Sequence, residues 1–517
     1  MKHYLLLMMA VLSVALFGAC DKEDNGGSAN GLRLFAEGMG GSKVAVEGLA
    51  SYWVADEHVW VSNQDLTIAV DGEGNATVTG ENISTPYKGV YPYSILSSND
   101  GNSVTLSLPA NYAYTTDGSG RQTIYSPMVA YATSGDELYF KHVTAAIGVK
   151  VINYHDYAIT LGAVSVSSNK YRLNGSVTVD LTDIDVAAAE TETASERTVS
   201  VTFATPLNIA AGDSVIVQVP VLPVGSDNQF TIAVTVSNTT VSNVVIERQQ
   251  ASAHSLGRAN IGYARYTLGG PFTVSSSKKV LFSTGNLQYH IKDAKWQFAP
   301  HQHDAIGAAN SNIGNAEYDG WIDLFGWGTG DAPTKYASDA TYTTFNDWGN
   351  YVTTDLGSGW YTLTKDEWAY LTTGSRSTST YGLPSATSST AAKYVKATVN
   401  STSGLIIFPD NYTHPNGVTI TSTISQYDGQ YIAFDKFTVT SGWDKMELAG
   451  AIFLPVTGYR NVTSVDQSST HGYYWSQNYT GTSGYSLYFY SSNLVAASTY
   501  PQSTQSYGHA VRLVKNL

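Results

Sequence analysis

The sequence is short of charge and shorter still of cysteine. Only 14% of its 517 residues are Asp, Glu, Lys or Arg, against about 25% in an ordinary soluble domain. The single cysteine, Cys20, excludes an intrachain disulfide, a Cys-ligated zinc and an iron–sulfur cluster. Lys and Arg number 28 against 42 Asp and Glu, a formal charge of −14. No long Lys/Arg run occurs, so nucleic acid is excluded as a partner, because phosphate neutralisation needs clustered cations. Past the first twenty residues no apolar run is long enough to cross a bilayer. What is plentiful is Gly (47), Tyr (36) and hydrophobic residues generally (43%). That mixture favours strands and turns over helices and can build real cores. At roughly 100–200 residues per domain, the length implies about three domains.

The amino-terminal segment reads as an address. Lys2 and His3 precede a stretch, Tyr4 to Phe17, that is apolar apart from Tyr4 and Ser13. It is too short to span a membrane as a mature helix and fits a secretory core segment. It ends Leu16-Phe17-Gly18-Ala19-Cys20, which resembles the lipobox of bacterial lipoproteins, with Phe17 where Leu is commoner. That resemblance implies a signal peptide over 1–19, lipidation of Cys20 and a membrane held through a lipid anchor. Residues 20–31, with Asp21-Lys22-Glu23-Asp24-Asn25 and then Gly26-Gly27-Ser28, read as a flexible tether. The acidic run resembles the export tag of surface-exposed outer-membrane lipoproteins.

From Leu32 to about Leu268 short alternating segments are punctuated by Gly, Asn, Asp and Pro. Val59–Val61, Leu66–Val70, Ala76–Thr79, Val104–Leu108, Leu138–His142 and Ile147–Ile152 read as strands. Their spacing predicts two β-sandwiches, over 32–137 and 138–268. Residues 184–195 lack apolar periodicity and read as an exposed loop. Tyr87-Lys88-Gly89-Val90-Tyr91-Pro92-Tyr93, Ser126-Pro127-Met128-Val129-Ala130-Tyr131-Ala132, Leu138 to Ile147, Leu173-Asn174-Gly175-Ser176 and Val219 to Gly225 follow in order. Together they resemble the fimbrillin family of type V pilus proteins. The resemblance implies a lipoprotein precursor, two fimbrillin-like sandwiches and assembly with other fimbrial subunits by donor-strand exchange. An incomplete sandwich suits that mechanism, since it leaves a groove with unpaired backbone groups. The resemblance also implies cleavage after an arginine near the first domain, for which Arg33 and Arg121 are the candidates.

Composition shifts after Gly269-Gly270-Pro271, and eight of the ten tryptophans follow it. Thr364 with Glu367 three residues on forms a capping box for a helix beginning there. Gly404–Asp410 and Ala449–Val456 read as buried strands. With Gly472-Tyr473-Tyr474-Trp475-Ser476, Tyr485-Ser486-Leu487-Tyr488-Phe489 and Gly508-His509-Ala510-Val511-Arg512-Leu513-Val514, residues 269–517 resemble an α+β C-type-lectin-like module. Its tail is similar to the variable regions that diversity-generating retroelements write in some members of that group. The fold class is therefore mostly β, two sandwiches followed by an α+β domain.

Period-two spacing turns Leu487, Phe489, Val511 and Leu513 inward, with Trp475 in the core. Tyr473, Tyr474, Tyr479, Tyr485, Tyr488, Tyr490, Tyr500 and Tyr507 lie between them. Tyr with Ser, Gly and Asn is the composition of antibody-like paratopes, giving large contact area at low entropic cost. Tyr479, Tyr485, Tyr490, Asn493, Tyr500 and Gln502 are the expected ligand contacts. The ligand expected there is a host or bacterial surface protein or a glycan.

No catalytic constellation emerges. His301-Gln302-His303-Asp304 has two histidines on one strand face but no third metal ligand. Asp323 and Asp331 read as turn caps beside an aromatic run. Calcium-lectin signatures are absent; Phe345-Asn346-Asp347-Trp348 is the nearest string. No cysteine outside the anchor serves formylglycine-type chemistry, and no phosphate loop occurs. The expectation is a non-enzyme without cofactor or metal: a surface-exposed outer-membrane adhesin, at a pilus tip or as an accessory fimbrial subunit. The rival readings are a glycan-capture lipoprotein of a nutrient-uptake system and, lacking any nominated residues, a hydrolase.

Overall fold

The computed structural model describes residues 31–38, 53–116, 122–123, 126–250, 252–336, 342, 344–384, 391–499 and 504–517. Cys20, the tether, Arg121, Tyr500 and Gln502 lie outside the described residues. The described chain is mostly β.

The first sheet has eight strands, in the order Gln64–Thr67, His58–Val61, Tyr87–Tyr91, Met128–Ala132, Glu137–His142, Leu32–Ala36, Ala76–Val78 and Ala69–Val70. Alternation along each strand gives it two apolar faces. Val59, Val61, Leu138 and Phe140 join one core with Trp53, whose ring meets Tyr91 and Phe140 edge-on. Trp60, Val90 and Val129 form the other, under a three-stranded sheet of Gly175–Asp180, Ser103–Leu108 and Leu96–Asp100. Val186 lies in this second core, so the stretch 184–195 is not exposed throughout. Arg33 sits on an interior strand of the large sheet, where its Nη2 meets Glu137 Oε1 at 2.6 Å.

The two amino-terminal units lend each other a strand. Gly175–Asp180 pairs antiparallel with Ser103–Leu108, Val177 opposite Leu106. In return Asn111–Ala113 runs parallel to the edge of Thr198–Ile209, Asn111 opposite Ser200. The expected junction at 137/138 falls at the start of Glu137–His142, which pairs within the first sheet. The second sandwich packs a five-stranded sheet, Val244–Gln249, Phe230–Ser237, Ile159–Ser168, Thr198–Ile209 and Asn111–Ala113, against Ser214–Val221, Ala145–Asn153 and Ile261–Leu268. Strict alternation in Phe230–Ser237 buries Phe230, Ile232, Val234 and Val236 against Val149, Val151, Val217 and Val219.

The carboxy-terminal part closes on itself. Lys279–Phe282 pairs with Leu513–Asn516, which also pairs with Trp360–Thr362. A five-stranded sheet runs Thr419–Ser422, Phe437–Ser441, Tyr394–Val399, Thr402–Ile407 and Ile452–Pro455. The helix Lys365–Thr372 starts at the expected cap: the Glu367 amide donates to Thr364 Oγ1 and the Thr364 amide to Glu367 Oε2. Ala397, Val399, Ile406, Phe453 and Trp443 belong to the same continuous core as the second sandwich. His155 Nε2 donates to the Leu448 carbonyl at 2.8 Å, and the Asn416 amide donates to Val245 at 3.2 Å. Gly450 approaches Gly269 so closely that a Cβ there would lie 3.0 Å from its backbone.

Because Ser103–Leu108 and Gly175–Asp180 lace the two sandwiches together, damage to one ladder reaches both. Leu106 is fully buried, and Leu106→Ala is expected to cost about 2–5 kcal/mol. Hydrogen exchange in denaturant is expected to show Met128–Ala132 and Phe230–Ser237 losing protection together. Loss confined to the first strand would contradict the coupling.

Candidate ligand-binding face

His471–Thr480, Ser483–Tyr490 and Asn493–Ser498 form an antiparallel meander. One face carries Tyr474, Leu487, Phe489, Leu494 and Ala496 into the core with Trp368 and Leu371 of the helix. The other carries His471, Tyr473 and Trp475 opposite Tyr490, Tyr488 and Ser486. The register stacks their rings. Centroids lie 4.9 Å apart for His471–Tyr490, 4.8 Å for Tyr473–Tyr488, 4.9 Å for Tyr473–His509 and 3.8 Å for Trp475–His509. Offset and stacked pairs of this kind each add about 0.5–1.5 kcal/mol beyond area burial. Tyr459 meets Tyr473 edge-on and stacks on Tyr507 at 5.5 Å.

This aromatic column is anchored at its buried end. Trp475 Nε1 donates to the Phe325 carbonyl at 2.7 Å, and Ser486 Oγ lies 2.9 Å from His509 Nδ1. Glycine is required nearby: a Cβ at Gly484 would lie 2.6 Å from Trp327 and 2.8 Å from Trp475. At the other end the column surfaces at half-buried His471 and Tyr490, beside the exposed turn residues Ser491 and Ser492 and half-buried Asn493. Burial pushes the Tyr473 phenol far above its ordinary range and lowers the His471 imidazole. Both shifts favour the uncharged form of the ring.

The expected contact residues do not gather in one patch. Tyr490 and Asn493 are cross-strand partners at the column's open end. Tyr479 is exposed at the opposite hairpin end, its ring 4.9 Å from Trp327. Tyr485 has the parity of Leu487 and Phe489, and its ring lies 5.2 Å from Lys365 Nζ on the helix side. Five residues of strand put it about 16 Å from Tyr490. Tyr500 and Gln502 lie outside the described residues. Tyr473, Tyr474 and Tyr488, read from sequence as displayed, are buried: exposures are 1%, 0% and 9%. Adjacent strand residues face opposite ways, so Tyr474 enters the core, while Tyr473 is covered by Tyr459 and His509 and Tyr488 is packed among His471, Tyr473 and Tyr490. His471 and His509 are column members that a count of tyrosines could not find. The signal for His471 is the alternation His471, Tyr473, Trp475, whereas His509 enters through its long-range pairing with Phe325.

Two buried arginines brace this region. Arg512 Nη2 donates to Gln302 Oε1 at 3.0 Å, and Arg460 Nη1 donates to the Val462 carbonyl at 2.7 Å. Burial lowers both to about 10. The His301 and His303 rings stack at 5.3 Å. Among the described residues no group of three His, Cys, Asp or Glu could hold a metal ion, and no helix is long and apolar enough to cross a membrane.

Asp323, read from the sequence as a turn cap, is buried. It is 1% exposed, and its oxygens accept from the Ile306 amide at 2.9 Å and from Asn310 Nδ2 at 2.7 Å. Burial outweighs these hydrogen bonds and raises its carboxyl to about 6.

No family model matches the sequence, and no curated protein matches it. Among solved structures, a candidate cell adhesion protein from Bacteroides ovatus aligns at 12% identity over 46% of this chain and 92% of its own, with a TM-score of 0.30. One from Bacteroides fragilis aligns at 12% identity over 54% of this chain and 100% of its own, with a TM-score of 0.28. A fimbrial protein from Bacteroides vulgatus aligns at 10% identity over 46% and 95%, with a TM-score of 0.24. Likeness at this level assigns neither family nor function.

The Asp323 geometry fixes a pH dependence. The unfolded carboxyl loses its proton near pH 4 and the folded one near 6. Its contribution is thus full below about pH 4 and lost by about pH 6, a change of about 3 kcal/mol. Chemical denaturation between pH 4 and 7 is expected to show this fall, and Asp323→Asn to flatten it.

Proposed function

We propose that the chain is a cell-surface adhesin, working as a pilus-tip or accessory fimbrial subunit anchored or processed through its amino-terminal segment. It binds a protein or glycan through the open end of the aromatic column. The observation that carries this reading is the juxtaposition of a rigid aromatic surface with a polar Ser-Ser-Asn turn. Rigid rings lose little freedom on binding, and small polar groups adapt to the ligand. No covalent chemistry is part of the proposal.

Assembly with other subunits is supported by the second sandwich. Ile261–Leu268 is an edge strand, and beside it lies a cavity of about 390 Å³ lined by Ile147, Phe230, Ile232, Leu256 and Ile261. An edge strand beside a groove whose walls also carry Gln250, His254, Ser255 and Asn260 suits an added strand, with apolar pockets for its side chains and polar groups for its backbone. The last described strand, Leu513–Asn516, lies between two partners inside its own sheet. It is not free to serve as a donor. The second reading, a glycan-capture lipoprotein, rests on the same aromatic surface, since rings also stack on sugars.

Immunogold labelling of intact cells with an antibody to residues 271–517 separates the two. Gold at filament tips is the expected result. Gold on the cell surface without filaments, with retention of the protein on polysaccharide gels, would transfer the assignment to glycan capture. Cys20→Ser is expected to release the full-length chain from the membrane fraction. In adherence to immobilised mucin, the Tyr490→Ala, Asn493→Ala double variant is expected to lose at least about tenfold in affinity, roughly 1.4 kcal/mol, with an unchanged melting temperature. Enzymatic deglycosylation of the mucin then tells a glycan ligand from a protein one.

A further inference from the structure

Lys396 lies on the strand Tyr394–Val399 and is 1% exposed. It forms no ion pair among the described residues. A buried ammonium without an anion is costly unless its three donors are satisfied. Here they are: Nζ donates to the carbonyls of Gln430, Tyr490 at 3.0 Å and Ser491 at 2.9 Å. The Phe434 ring centroid lies 6.0 Å away. Two separate surface segments therefore share one cation. The Gln430 and Tyr490 carbonyls are no farther apart than two hydrogen bonds end to end. The residue after Gln430 is Tyr431, 74% exposed, the highest exposure among the large hydrophobic side chains described.

We propose that Lys396 is a positioning residue that clamps the 428–431 loop to the 490–493 turn, so that Tyr431 and Tyr490 form one ligand surface. The proposal rests on the reading of Tyr490 as a ligand contact and extends it to a loop some sixty positions earlier. The parity of the strand explains the clamp. Val395, Ala397 and Val399 enter the core shared with the second sandwich, while Tyr394 and Lys396 point to the side of the meander. A neutral amine has only two donors for three carbonyls, and its lone pair would face the third. Burial lowers the Lys396 ammonium to about 8. Around it, burial lowers the His471 imidazole and raises the Tyr394 phenol and the Asp428 carboxyl, which pairs with Lys393 at 3.6 Å, while Asp435 pairs with Lys436 at 3.5 Å on the adjoining short helix.

Amide hydrogen exchange on the full chain tests the clamp without any ligand. Lys396→Met keeps the stem and removes the charge. It is expected to raise exchange at least tenfold in both 428–432 and 490–494 while Leu405–Ile407 stays protected. In the wild-type chain, exchange corrected for base catalysis is expected to rise in both segments together as pH passes about 8, a readout that survives even if the variant fails to fold. Loosening of one segment alone, or of neither, overturns the clamp and leaves the Tyr490 reading standing. In mucin adherence, Tyr431→Ala is expected to weaken binding as much as Tyr490→Ala does. Dependence on Tyr490 without Tyr431 overturns the shared surface, whereas dependence on neither, with the clamp intact, removes only the reading it rests on.

Discussion

The carboxy-terminal module depends on one antiparallel pairing, between Lys279–Phe282 and Leu513–Asn516. Strands separated by more than two hundred residues meet there, and Trp360–Thr362 adds to the far side. The loop closed by this ladder contains the five-stranded sheet, the capped helix and the meander. Closing so long a loop costs entropy that only a large core offsets. Phe272, Phe282, Trp368, Leu454, Tyr474 and Phe489 supply that core. The ladder also leads into the site. Phe325 and His509 exchange backbone hydrogen bonds a few residues before the closing strand, which sets His509 between Tyr473 and Trp475.

Local features were legible in the sequence because local physics decides them. The cap at Thr364 and Glu367, the turn signals and the inward parity of Leu487, Phe489, Val511 and Leu513 need only neighbours a few residues away. What pairs across long separations was not legible. Nothing in Asn111–Ala113 marks it for the second sandwich, nor Gly175–Asp180 for the first. Tyrosine has no preference between core and surface strong enough to tell Tyr474 from Tyr490. Parity separates the two residues, but only once the register is known. Lys396 is the clearest case, since a lysine inside an apolar strand reads as a break until its carbonyl partners are in place.

The candidate face combines two demands that conflict in most surface strands. A displayed aromatic residue is usually free to turn, and a fixed one is usually buried. The column resolves this by anchoring at Trp475 and His509 and surfacing at His471 and Tyr490. Each outer ring is held by the ring beneath it. Its electrostatics match: burial lowers the His471 imidazole and raises the Tyr473 phenol, and both shifts favour the uncharged ring.

The reciprocal loan of strands has a mechanical meaning. In a chain of domains joined by linkers, a pulling force stretches the linkers first. Here the force must pass through the ladders of Ser103–Leu108 with Gly175–Asp180 and of Asn111–Ala113 with Thr198–Ile209. It then meets a core continuous with the carboxy-terminal sheet. A tensile load taken up at one end is carried through paired backbone and packed side chains, with no slack at the joints, as a stiff lever carries it.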